Sequence, residues 1–493
     1  MHEGLKRIRS QRPGDVVLQR ERGPRRVHRV RGVSALFSSV YSSVGSSIYY
    51  ALGITAAYAL GFTPLVFIIA GLLFAFTAMT YAEGTICIPE ANGSSGFAHR
   101  GFNELVSFIT GWALMLGYIV TIALSAFAVP NYLATFWPSL GLWPVNSLVA
   151  ALLIAALALL NLSGVREGPR WSIVAAMTNI FTQALLAVIG LLFLFRWETA
   201  WSNVHWGVAP SWGQLAFGVA ASMIAYTGIE EVSRLAEEAR YPDRTVPKAS
   251  ILVMIAVLGL YVPISLAGLS AMPVVLGTGG EWTTMLGTAW KSAPLLGIVQ
   301  GLPATLRSVL RVWVGLVASF TLLLAAYRSM LGASRLSFAM GQHGQIPSVL
   351  GRVHPRFHTS PVAILAFGVL AACFVIPGQV DLLAEVYAFG ALLAFALAHA
   401  AIVALRVREP AMPRPFRSPG NLRWAGREIP LSAVLGFIGT GGLWLVVLLT
   451  REAGRPVGLG WMVTGFLLYV FYRRWRHLPI LAHRHLAGLR QQE

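Results

Sequence analysis

Hydrophobic and polar positions in this chain change over on the scale of a bilayer, not of one helix face. An α-helix needs about 20 apolar residues to cross the hydrocarbon core. Such runs predict helices over 34–58, 64–88, 105–129, 148–162, 173–195 and 215–232, and again over 251–271, 312–330, 362–376, 382–405, 431–449 and 461–471, twelve spans in all. Two of the runs are interrupted in mid-span. The first break is Ser42-Ser43-Val44-Gly45-Ser46-Ser47, and the second is Ala225-Tyr226-Thr227-Gly228-Ile229-Glu230-Glu231. An unpaired amide or carbonyl in hydrocarbon costs several kcal/mol, so non-helical backbone survives there only where it lines a cavity or meets a ligand. A pair of such breaks in corresponding halves marks a mid-membrane binding site. Gly45 and Gly228 lie five spans apart, an odd number, so the two broken helices cross the bilayer in opposite directions. The expected architecture is an all-α polytopic membrane protein of about 12 helices. Spans one to five and six to ten form a 5+5 inverted repeat with helices 1 and 6 discontinuous, and two further helices lie outside it.

Composition agrees. With 56% hydrophobic and only 12% charged residues, and a mean hydropathy of +0.65, the chain is too apolar for a soluble domain. The net charge of +18 raises nucleic acid as a partner, but the placement of the charge argues against it. Lys6, Arg7, Arg9, Arg12, Arg20, Arg22, Arg25, Arg26, Arg29 and Arg31 crowd the leading tail, and Arg473, Arg474, Arg476, Arg484 and Arg490 the closing one. Arg406, Arg408, Arg414, Arg417, Arg423 and Arg427 follow the tenth span, whereas residues 131–145 carry no Lys or Arg. The positive-inside rule then puts both termini in the cytoplasm of a plasma (inner) membrane protein, with the basic tails drawn to anionic lipid. The expected division is a basic tail (1–32), a transmembrane core (33–408), a cytoplasmic loop (409–430), helices 11 and 12 (431–472) and a closing tail (473–493).

The first apolar run lies behind a long basic tail and exceeds a signal-peptide core, so no cleavable leader is expected. Cys87 and Cys373 sit inside apolar runs, which suggests neither a disulfide framework nor a cysteine metal site. His343, His354 and His358 share one loop without regular ligand spacing, so no metal site and no cofactor are expected. Residues 272–307, rich in Gly, Thr and Trp, are expected to hold short helices that cap the outer mouth.

Four stretches carry a family resemblance. They are Gly45-Ser46-Ser47-Ile48-Tyr49; Ala225-Tyr226-Thr227-Gly228-Ile229-Glu230 with Ala236-Glu237-Glu238-Ala239-Arg240-Tyr241-Pro242 and Val246-Pro247-Lys248-Ala249; Gly332-Ala333-Ser334-Arg335-Leu336-Ser337-Phe338-Ala339-Met340 with Ile346-Pro347 and Val353-His354-Pro355-Arg356; and Tyr387-Ala388-Phe389-Gly390-Ala391-Leu392-Leu393-Ala394-Phe395 leading to Arg408-Glu409-Pro410 and Arg414-Pro415-Phe416-Arg417. In order and at this spacing they resemble the first, sixth, eighth and tenth helices of a bacterial permease of the amino acid-polyamine-organocation (APC) superfamily. The resemblance implies a LeuT-like fold and a secondary transporter of amino acids or related amines, usually a proton symporter.

The substrate-binding candidates are accordingly Ser43, Val44, Gly45, Ser46, Ser47, Ile224, Ala225, Tyr226, Thr227 and Gly228. Unwinding at 43–47 offers amides at a half-helix start to a carboxylate, and carbonyls at the other half, with those of 225–227, suit an ammonium group. Against that stands the reading in which Gly45 only permits close packing and the serines bond back to their own helix. Three departures from the family matter. Ser47 replaces a glycine; Ile224 stands where many relatives have a bulky aromatic gate, so either Tyr226 or Tyr49 closes the site or the pocket is roomier; and Asn179 stands where one subgroup has a lysine proton switch, which leaves the coupling step unassigned. Glu230, Glu231 and Arg328 are ionisable residues at depth, where a charge costs about 2.5–3.5 kcal/mol on insertion scales. Arg328 is expected to contact Glu231, Glu230 or an anionic group, with one glutamate taking up a proton. Trp112 and Phe389 are further pocket-lining candidates. Two rivals are a potassium-type ion transporter on the same scaffold and a non-transporting sensor. No Ser, His and carboxylate set falls within the spans, so an enzyme is not expected.

Overall fold

The computed structural model describes residues 32–88, 93–164, 168–236, 238–277, 279–354, 359–424 and 427–481. The leading basic tail, Glu237, His358 and the last part of the closing tail lie outside the described residues. The first repeat holds α1 (Val33–Val44), α2 (Ile48–Ala59), α3 (Thr63–Cys87), α4 (Gly93–Gly101), α5 (Glu104–Leu133), α6 (Val145–Leu162) and α7 (Pro169–Phe193). The second holds α8 (Trp197–Ser202), α9 (Trp212–Ser222), α10 (Glu231–Ala236), α11 (Pro242–Ala271), α12 (Pro294–Gln300), α13 (Ala304–Gln342), α14 (Pro361–Val375) and α15 (Val380–Arg408). Outside the repeats stand α16 (Leu431–Thr450) and α17 (Gly454–Trp475).

Helix starts follow local chemistry. Proline occupies the first turn of α3, α7, α11, α12 and α14, where its missing N–H is not needed. Asn103 caps α5 by accepting from the Val106 amide, and Ser211 and Gln214 form a reciprocal capping box at α9.

Among the described residues, nine helices are long and apolar enough to cross a membrane, with α1 and α14 as shorter apolar helices. This number differs from the expected twelve in part because Ile48–Cys87 forms one 40-residue stretch. Burial sorts the helices radially. The apolar window of α5 is 94% buried inside the protein and that of α16 only 22%, so α5 is the central post and α16 presents its apolar surface to lipid.

The segment after α11 contains an antiparallel hairpin of β1 (Val274–Leu276) and β2 (Trp282–Thr284), then α12. It presses on α2, because a Cβ at Gly53 would stand 2.2 Å from the Lys291 carbonyl oxygen. Lys291 Nζ in turn meets Asp381 Oδ1 of α15 at 2.5 Å, and Tyr58 donates to that oxygen at 2.9 Å. At the opposite, arginine-rich end, β3 (Asn421–Trp424) and β4 (Arg427–Pro430) form a second antiparallel hairpin within the 409–430 segment.

Candidate functional site

The first interruption lies between α1 and α2. Gly45 (φ −65°, ψ −15°) and Ser47 (φ −73°, ψ −23°) keep right-handed helical dihedrals. In this conformation the break is one turn of loosened bonding and not the unwound stretch that the polar run suggests, with the Ser47 amide on Val44 O at 3.1 Å. Side chains satisfy the carbonyls and make unwinding unnecessary. Ser46 Oγ donates to Ser43 O at 2.7 Å, Gln183 Nε2 donates to Gly45 O at 2.6 Å, and Tyr261 Oη donates to Val44 O at 2.9 Å. The serines do bond back along their own helix, as Ser43 Oγ also reaches Ser39 O at 3.5 Å.

The second interruption is sharper. After α9 the chain makes a tight helical turn over Met223–Tyr226, Thr227 is extended (φ −62°, ψ 144°), and Gly228 takes φ +108° before α10 begins. That φ is open to glycine and strained for any residue with a Cβ. The Thr227 hydroxyl returns to Ile224 O, and Glu230 Oε2 accepts from the Gly228 amide at 3.1 Å.

The two breaks meet. A Cβ on Gly228 would lie 2.8 Å from Ser43 Cβ and 3.1 Å from the Val44 amide nitrogen. The Tyr261 hydroxyl of α11 spans them, donating to Val44 O at 2.9 Å or Ala225 O at 3.1 Å. Tyr261→Phe leaves both carbonyls short of this donor in a fully buried place. About 1–3 kcal/mol of stability is expected to go with it, read as a lower melting temperature in detergent together with slower uptake.

Asn179 and Gln183 stand one turn apart on α7 and brace the first break. Asn179 Oδ1 accepts from Tyr49 Oη and from Gln183 Nε2, each at 2.9 Å, and Tyr41 donates to Gln183 Oε1 at 2.9 Å. Asn179 Nδ2 is buried without a hydrogen-bond partner.

Beside the junction lies a cavity of about 20 Å³ lined by Ser43, Thr227, Gly228, Glu230, Glu231 and Arg328, together with Tyr118 and Thr121 of α5 and Ala325 and Ser329 of α13. That volume holds little more than a water. All three ionisable candidates therefore line one cavity. Glu231 pairs with Arg234, one turn on along α10. Arg328 reaches Ser39 O of α1 at 3.5 Å and Ser172 Oγ of α7 at 3.3 Å, so it faces the protein interior at 6% exposure and does not snorkel to the surface.

Other candidates lie apart from the cavity. Ile224 is buried, and Tyr226 turns to α3, donating to Phe67 O at 2.6 Å and stacking on Phe74. Trp112 stacks on Trp461 at 4.5 Å, with each indole N–H donating to the other residue's carbonyl, and Phe389 packs on Trp444. These two aromatics join the repeats to α17 and α16.

Tyr261, Gln183, Tyr118 and Thr121 escaped the sequence reading. Gln183 carried a signal, since Asn179 and Gln183 form an i, i+4 polar pair in an apolar helix. Tyr261 carried none, being one aromatic among many in apolar runs.

A polytopic helical bundle whose first and sixth spans face each other beside a small cavity lined by charged residues is of the LeuT-like fold class. A solved manganese transporter from Eremococcus coleocola shares the fold, with a TM-score of 0.52 and 14% identity, over 90% of this chain and 93% of that one. The chain belongs to the amino acid permease family, whose profile matches residues 32–472. Similar curated proteins include the branched-chain amino acid permease BcaP of Bacillus subtilis, 25% identical over 430 residues covering 83% of this chain and 85% of that protein. The methylthioribose transporter of the same organism is 26% identical over 428 residues, again 83% and 85%. The human b(0,+)-type amino acid transporter 1 is 24% identical over 436 residues, 85% and 82%. The protein is thus a non-enzymatic membrane transporter of the APC superfamily.

Proposed function

We propose that this protein is a proton-coupled secondary transporter of amino acids or related amines. It works by alternating access around the junction of the two interrupted helices, in the plasma membrane with both termini cytoplasmic. The observation that carries the reading is the Tyr261 bridge at the Gly228–Ser43 contact, beside a cavity whose walls hold carboxylates and a guanidinium. Walls of both signs suit a zwitterion. Relatives named as amino acid permeases and transporters support the substrate class.

The cavity in this conformation is far smaller than an amino acid, so binding requires α1 and α10 to separate from α5 and α13. Breaking the Tyr261 bridge and lifting Gly228 from Ser43 is the local event that such a separation needs. Glu230 is placed to couple it to a proton, because its carboxylate accepts from the Gly228 amide. Protonation weakens that bond and loosens the second break, whereas Glu231 is occupied by Arg234.

Uptake of labelled amino acids into proteoliposomes, with and without an imposed pH gradient, tests the reading. Glu230→Gln is expected to remove the stimulation by the gradient while leaving exchange at equal pH within a few fold. Arg328→Ala is expected to lower uptake at every pH. Gradient-driven uptake unchanged in both variants would overturn the coupling role, and uptake of none of the amino acids or amines tested would overturn the substrate class.

A further inference from the structure

At the arginine-rich end, away from the transport cavity, three metal-ligating side chains from distant parts of the chain converge. His99 is near the end of α4, Glu104 opens α5, and His343 follows the last residue of α13. His99 Nε2 lies 2.8 Å from Glu104 Oε1, and the rings of His99 and His343 are 4.6 Å apart between centroids. One ligand atom from each of the three falls within 4.8 Å of the others. The carboxylate is buried and the two imidazoles are half-buried.

The surroundings orient the set. Gln345 Nε2 donates to Glu104 Oε2 at 2.9 Å, which fixes the carboxylate and turns Oε1 toward the histidines. The Gln345 amide bonds to Met340 O at 2.9 Å, so the turn after α13 is itself held, with Gly344 at φ +62° providing the reversal. Arg473 of α17 stands 3.7 Å from Oε2 and works against a cation there.

Two imidazoles and one carboxylate is a donor set for a zinc-class ion. Zinc bonds of about 2.0–2.1 Å at tetrahedral angles put ligand atoms about 3.3 Å apart. The group needs His99 and Glu104 to part slightly and His343 to close by up to about 1.5 Å, which rotamer adjustment of half-buried rings supplies. An outer partner such as Gln345, which holds a ligating carboxylate, is characteristic of built metal sites.

We propose that His99, Glu104 and His343 form a site for a zinc-class transition-metal ion, and that its occupancy slows transport. The ion would tie the α4–α5 corner of the first repeat to the end of α13 in the second, stiffening the α5–α13 wall from which, on the function proposed above, α1 and α10 must separate. The opposing Arg473 is expected to weaken the affinity.

The test uses the full-length protein in detergent, freed of any histidine tag and stripped with chelator. Titration with Zn²⁺ by calorimetry is expected to give one ion per chain, and Co²⁺ is expected to develop visible absorption bands. His343→Ala and His99→Gln should each weaken binding at least tenfold, whereas His354→Ala should leave it unchanged. Melting of each variant without metal shows whether the fold is intact, and the second histidine variant decides if the first fails to fold. In proteoliposomes loaded with Zn²⁺ on the arginine-rich side, uptake by the native protein should fall severalfold and that by His343→Ala should not. Absence of saturable binding, or binding by both histidine variants equal to that of the native protein, would overturn the site. Uptake insensitive to bound zinc would overturn its control of transport.

Discussion

Gly228→Ala is expected to cut uptake by about a hundredfold or more while leaving a protein that still assembles in the membrane. Two independent effects act at one atom. The φ of +108° is strained for alanine, at a cost on the order of 1–3 kcal/mol. The new methyl would also stand 2.8 Å from Ser43 Cβ and 3.0 Å from the Ser43 carbonyl carbon. Neither neighbour is a flexible side-chain end, so the two breaks must move apart, and with them the Val44 and Ala225 carbonyls that share the Tyr261 hydroxyl. The change is confined to the junction, so the rest of the bundle should form. Uptake in proteoliposomes, paired with gel filtration and a melting curve, measures both consequences. Uptake near the native rate would show that transport does not depend on this contact. Gly45→Ala makes a useful contrast, because there the methyl would meet the Tyr41 ring at 2.7 Å with an ordinary helical φ. The Tyr41 carbonyl oxygen would also lie 2.9 Å away, so some shift is needed, but no strained φ adds to it and a smaller loss is expected.

The helical, membrane-spanning fold was legible because a bilayer demands long apolar runs and tolerates backbone breaks only at special places. Gly228 could be singled out for the same reason, since a glycine beside polar residues in mid-span only weakens a plain spanning helix. What the sequence withheld is which side chains come to the breaks from elsewhere. Tyr261 lies 217 positions from Val44, and Gln183 lies 138 from Gly45. No local spacing encodes such meetings. The depth of the first break was withheld too. A run of serines reads as unwound chain, yet serine hydroxyls and incoming amide and phenol groups let Gly45 and Ser47 stay helical. His99 went unremarked and His343 was set aside for a similar reason, because the histidines weighed together were neighbours in one loop and the pair that meets comes from two.

Glu83 is the residue the sequence should have yielded, being a carboxylate inside the second apolar run, and the expected result of breaking its pairing is a large loss of stability. Arg406 of α15 grips it with two bonds, Nε to Oε1 at 2.7 Å and a terminal nitrogen to Oε2 at 2.6 Å, and both side chains are 2% exposed. The Ser418 amide adds a third bond at 2.8 Å, and Arg406 also donates to Asn421. One carboxylate thereby joins α3, the end of α15 and the 409–430 segment just ahead of its hairpin. Arg406→Met leaves the Glu83 charge buried with only Ser418 and the more distant Arg414, 3.9 Å away, beside it. Removing one partner of such a pair costs about 3–5 kcal/mol, because the survivor keeps its desolvation penalty and loses its compensation. The double variant Glu83→Gln/Arg406→Met removes both charges and should be no less stable than Arg406→Met alone, although the Ser418 amide keeps a poorer acceptor. Denaturation in mixed detergent of the native protein, both single variants and the double variant closes the cycle. Additive losses would mean that the two charges act separately, and the ion pair would then not be what fastens the hairpin to the bundle.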